Sequence, residues 1–75
     1  MKRYIITAKF EGDRKTYYYA KVGHSTGTTK DPFMSELFQT LSGVKSMVNM
    51  LNMNHPTLFS VPVTWDFKQV KLTVF

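Results

Sequence analysis

Few of the 75 residues carry side chains suited to catalysis or metal binding. The acids are Glu11, Asp13, Asp31, Glu36 and Asp66, the histidines are His24 and His55, and there is no cysteine. General acid–base work needs two groups held about one reacting bond, and the spacing pairs none of these carboxylates. Glu11 and Asp13 fall in a turn, Asp31 suits a helix cap, Glu36 lies near a helix start where its sign matches the dipole, and Asp66 falls in a late turn. Neither histidine is accompanied by ligand-spaced acids, so no metal site is expected. His24-Ser25 sets a base beside a hydroxyl, but adjacent residues rarely face one another productively, and no oxyanion-hole motif goes with them.

Gly23 to Lys30 leads into a helix start, where free N–H groups favour anions. A phosphate-binding loop nevertheless needs four residues between its glycines and a lysine directly after the second. Here three residues separate Gly23 from Gly27, and Lys30 follows two threonines. The stretch reads as a polar connection. The chain is expected to be non-enzymatic and to need no cofactor.

What remains is a surface. Ten Lys and Arg against five Asp and Glu give a net charge of +5, with the basic residues crowded into the N-terminal half. Such a balance is more often simply the basic surface of a soluble domain; the sharper reading is attraction to an anionic partner, either nucleic acid or an acidic protein surface. Tyrosines alternating with lysines along a strand could stack on bases and meet phosphates. Tyrosine is equally a common anchor in protein interfaces, and the RNA-binding sheet motifs are absent. The candidate binding residues are Arg3, Lys9, Lys15, Tyr17, Tyr19 and Lys21, with Lys71 alongside. Five methionines in so short a chain suggest an adaptable apolar surface, and Met50 and Met53 are its candidates.

Several elements must position these side chains. Asp31 to Asn54 reads as one amphipathic helix, with Asp31 as N-cap and Pro32 at the first helical position. Phe33, Met34, Leu37, Phe38, Leu41, Val44, Met47, Val48 and Leu51 fall on one side of it. Gly43 is off that stripe, and Asn52, Asn54 and Pro56 mark the end. Arg3 to Phe10 alternates as a strand, and Lys15 to Val22 follows as its hairpin partner.

The hairpin register decides which tyrosines are exposed. A two-residue Gly12-Asp13 turn would set Tyr17 and Tyr19 beside Ile6 and Ala8 and bring Lys15 and Lys21 towards the core. Desolvating unpaired lysines costs more than an imperfect turn, so the alternative is expected: Tyr18, Ala20 and Val22 inward, Tyr17 and Tyr19 outward. Thr57 to Trp65 reads as a third strand, with Pro62 pointing to an edge or bulge. Asp66 to Gln69 reads as a reversal before a last strand with Val70, Leu72 and Val74 inward, which places Phe75 near the structured region. The sequence leaves open whether Trp65 is core or contact; on an alternating strand such a ring is more often core, with its indole N–H needing a partner.

The order ββαββ predicts a single α+β domain over residues 1–75, with one helix on one face of a small antiparallel or mixed sheet. So small a core, without disulfides, makes a homodimer a natural possibility. No apolar run is long enough to span a membrane and Met1 to Phe10 is no signal peptide, so a cytoplasmic protein is expected.

Lys2-Arg3-Tyr4-Ile5-Ile6-Thr7, Tyr17-Tyr18-Tyr19-Ala20-Lys21 and a single helix after a polar loop resemble small early proteins of phages and prophages. The resemblance is one of pattern over roughly the first two-thirds of the chain. It implies a protein that binds a host protein, or a component of bacterial defence, and inhibits or redirects it. No diagnostic motif carries it, so it transfers no functional residues, and Val61 to Trp65 lie outside it.

Overall fold

A computed structural model describes residues 2–22 and 25–71, with their side chains except at positions 2, 22 and 71. In chain order these are β1 (Lys2–Phe10), β2 (Tyr17–Val22), β3 (Ser25–Thr29), a 3-10 helix (Pro32–Met34), α1 (Leu41–Asn54), β4 (Thr57–Leu58) and β5 (Val61–Lys71). The strands form one antiparallel sheet in the order β3-β2-β1-β5-β4. The architecture is α+β, with α1 on one face of the sheet.

β1 is central because both its faces carry apolar residues. Ile6 and Ala8 are buried on the helix side with Tyr4 and Phe10 packed against them, while Ile5 is buried on the other side. Val44, Val48 and Leu51 of α1 meet Ile6, Ala8, Tyr19, Val63 and Trp65 to complete the core. Full burial of each of the Val, Leu and Ile side chains among them stabilises by about 1.5–3 kcal/mol.

The hairpin adopts the register that desolvation argued against. Thr7 is opposite Tyr18 and Ala8 opposite Tyr17, so Tyr17 and Tyr19 share the helix-facing side with Ile6 and Ala8. The two lysines avoid the core by lying at the extremities. Lys15 is exposed before β2 begins, its backbone N–H donating to Asp13 Oδ1 at 2.9 Å, and Lys21 is exposed towards the far end of β2. The preceding turn closes with Asp13 N–H on the Phe10 carbonyl at 3.1 Å. Gly12 at φ 82° supplies the left-handed position that this turn requires.

Ser25 to Thr29 is a strand rather than a loop. Its β-branched threonines suit an extended edge, and Gly27 lies opposite Ala20 in register. Gly23, His24 and the last residues Leu72, Val74 and Phe75 lie outside the described residues.

The long helix divides. Asp31 does cap a first turn, its Oδ1 accepting from Phe33 N–H at 2.9 Å, but that turn ends at Ser35. Ser35 donates both its N–H and its hydroxyl to the Pro32 carbonyl. β1 and β2 part beyond Thr7 and Tyr18, and the next residues fill the gap between them. Glu36 N–H bonds the Tyr19 carbonyl at 3.0 Å, and Phe38 exchanges two backbone bonds with Tyr4 at 2.8 and 2.9 Å. Backbone groups at two diverging strand edges thus outweigh local helix propensity. α1 starts afresh at Leu41, with the Thr40 hydroxyl accepting from Gly43 N–H at 3.1 Å. A Cβ on Gly43 would approach that oxygen to 2.8 Å, so the glycine makes room for the cap.

Thr57 to Trp65 is interrupted by a two-residue turn in which Phe59 (φ 53°) and Ser60 (φ 64°) are both left-handed. Leu58 and Val61 pair across it. Pro62 follows at the second position of β5, opposite Thr57 of the short edge strand β4, where a missing donor is tolerated. No reversal occurs at Asp66 to Gln69. β5 runs through to Lys71 beside β1, so the alternation of Val63, Trp65 and Phe67 continues in phase and Val70 falls on the face away from α1. Trp65 is 2 % exposed, and its indole donates to the His55 carbonyl at 2.8 Å.

Candidate functional site

The structure separates the residues that the sequence groups into one patch. Arg3 and Lys9 lie on the outer face of β1, away from α1. Tyr19 lies in the core at 2 % exposure, between Phe38 and Trp65, with ring centroids at 6.5 and 6.1 Å. Burial, and secondarily the Glu36 charge, push its phenol pKa above the ordinary value. Tyr17 packs edge-on against Phe10 at 5.2 Å, and its hydroxyl donates to Asp13 Oδ2 at 3.1 Å. That hydrogen bond raises the Tyr17 pKa. The Asp13 carboxyl is lowered, first by the Lys15 backbone N–H, then by the Tyr17 hydroxyl and the nearby Lys15 and Lys30 charges. Neither Tyr17 nor Tyr19 can stack on a base while so engaged.

Sequence reasoning missed the ring that does face outward. Tyr18 lies opposite Thr7 on the outer face, and the Lys68 ammonium sits 5.3 Å above its ring centroid, a cation–π contact that spans β1. Beside it, a concavity of about 310 Å³ is lined by Lys9, Lys68, Asp66 and three threonines, Thr7, Thr16 and Thr64. The signal for Lys68 was present: Asp66 to Gln69 contains no Gly or Pro to break a strand, and Phe67 keeps the alternation.

The more conspicuous surface is apolar. Phe33 is 89 % exposed and Met34 70 %, and Leu37 in the connector that follows and Leu41 at the start of α1 are exposed as well. On α1, Met50 and Met53 both face solvent. Lys30 and Lys45 flank this stretch in sequence and both are exposed. Truncating the expected helix created the surface: of its first stripe positions Phe38 pairs with Tyr4 and packs on the core, while Phe33, Met34 and Leu37 stay exposed.

A third feature lies between the two hairpin ends. A cavity of about 430 Å³ is lined chiefly by Phe10, Tyr17, Leu58, Phe59 and Val61, with Glu11 and Asp13 on its rim. Among the described residues no three His, Cys, Asp or Glu side chains gather to hold a metal ion, and no helix is long and apolar enough to cross a membrane. Comparison of the chain with protein-family models, curated proteins and solved structures returns no match.

Proposed function

We propose that this is a small, non-enzymatic, cytoplasmic interaction protein that docks on an acidic protein surface and modulates that partner, in the manner of the phage proteins its sequence resembles. The observation that carries this reading is the exposed run Phe33, Met34, Leu37 and Leu41, flanked by lysines in a chain of net charge +5. Large apolar side chains with a basic surround supply area at the centre of an interface and steering at its rim. Met50 and Met53 are further exposed, adaptable apolar side chains on α1.

Affinity capture from bacterial lysate tests it. The wild type should recover one protein in stoichiometric amount, Phe33→Ser/Met34→Ser should lose it, and Lys9→Glu/Lys68→Glu should keep it. Both residues of the first variant are exposed, so its melting temperature should match the wild type. Recovery that survives the first variant contradicts the reading.

Nucleic acid is the second reading, and the Lys68–Tyr18 contact beside Lys9 favours it. It predicts a mobility shift that weakens steeply with salt and disappears in Lys9→Glu/Lys68→Glu. A shift with those properties, together with failure of protein capture, would replace the first reading by the second.

A further inference from the structure

The β4–β5 turn is conformationally costly. Two-residue turns with both residues left-handed favour Asn-Gly, because other residues clash there. Here the positions are Phe59 and Ser60, and the strained residue is an aromatic ring that remains 74 % exposed. The ring lines an open concavity of about 430 Å³ together with the Phe10–Tyr17 pair, Leu58 and Val61.

The same end of the molecule carries both charges. Glu11 and Asp13 line the cavity rim, while Arg14 and Lys15 follow in the same exposed loop. A two-fold axis through this end would set the acids of one copy against the bases of the other, and each Phe59 against the other's cavity. Projecting ring, receiving cavity and both signs of charge thus occur together on one patch, as an interface between identical subunits requires.

We propose that a second copy of this chain is the occupant: the protein pairs through its hairpin ends, with each Phe59 ring entering the partner copy's cavity. This surface is distinct from the connector residues Phe33 to Leu41, so the inference stands apart from the proposed function. It also assigns a use to an exposed aromatic ring at a turn position that favours Asn or Gly.

Sedimentation velocity over a concentration series tests the pairing. The wild type should show a concentration-dependent monomer–dimer transition that weakens with added salt. Phe59→Asn/Ser60→Gly relaxes the turn and deletes the ring. It should raise Tm while weakening self-association about a thousandfold, because one central anchor is lost from each of the two copies. Arg14→Glu/Lys15→Glu should weaken pairing through like-charge repulsion, and adding Glu11→Lys/Asp13→Lys should restore it. A wild type that stays monomeric throughout the series overturns the proposal. So does a dimer that survives Phe59→Asn/Ser60→Gly, or charge variants that leave its strength unchanged.

Discussion

Asn52 of α1 holds Trp65 of β5 by both backbone polar groups of that residue. The Asn52 amide oxygen accepts from Trp65 N–H at 3.1 Å, and the amide nitrogen donates to the Trp65 carbonyl at 3.1 Å. Trp65 faces Ala8 of β1 on one side, and β4 ends before reaching it on the other. A side-chain amide therefore does what a neighbouring strand would do, and ties the helix to the sheet at the core's largest ring. Asn52→Ala should destabilise by about 2 kcal/mol in urea unfolding, from two hydrogen bonds at the usual net worth. Asn52→Asp keeps the acceptor but sets a carboxylate against the Trp65 carbonyl. Its deficit relative to wild type should shrink as pH falls and the carboxyl gains a proton.

The start of α1 depends on Thr40. Because its hydroxyl is the acceptor for Gly43 N–H, Thr40→Ala should cost about 1 kcal/mol, and Thr40→Ser should recover most of it. An unchanged urea midpoint for Thr40→Ala would show that the cap contributes nothing.

Tyr19 makes stability sensitive to alkali. Its folded pKa lies above the ordinary value near 10, so the unfolded chain ionises first. The stability linked to the neutral phenol is complete below that value and is lost as pH rises through the raised folded value. Tyr19→Phe should therefore show a shallower fall in Tm above pH 10 than wild type. Parallel curves would contradict the burial assigned to this ring.

Asp13 titrates in the opposite sense. Its carboxyl is held below 3.8, so any stability it lends is present above that value and is lost as pH falls through the depressed folded one. Carboxyl NMR should give a midpoint below 3.8, and Tyr17→Phe should move it upwards by removing one donor. A midpoint unaffected by Tyr17→Phe would show that the hydroxyl bonds elsewhere.

The parts legible in the sequence were those where local pattern and tertiary burial agree. The alternation of β1, the α1 face Val44–Val48–Leu51, the helix end before Pro56 and the α+β class are of this kind. The misplacements share one cause, which is that tertiary geometry reverses a locally sound inference. Asp31-Pro32 is a good helix start, yet the parted edges at Tyr4 and Tyr19 take up the residues that would have continued it. Lysines beside Tyr17 and Tyr19 argued for outward rings, but strand ends that overhang the core leave those lysines wet. Phe59-Ser60 has no turn chemistry to recognise, since its conformation is imposed by the hairpin around it. The exposure of Phe33, Met34, Leu37 and Leu41 was invisible for the same reason: they looked like the buried stripe of one long helix, which instead divides.

Which face meets the partner can be measured directly by photo-crosslinking inside bacterial cells. Benzoylphenylalanine would replace Phe33 on the connector in one version and Lys9 on the outer sheet face in another. The account predicts a single crosslinked protein from position 33, competed away by excess unlabelled wild type, and no specific product from position 9. A specific product from position 9 with none from position 33 would contradict it.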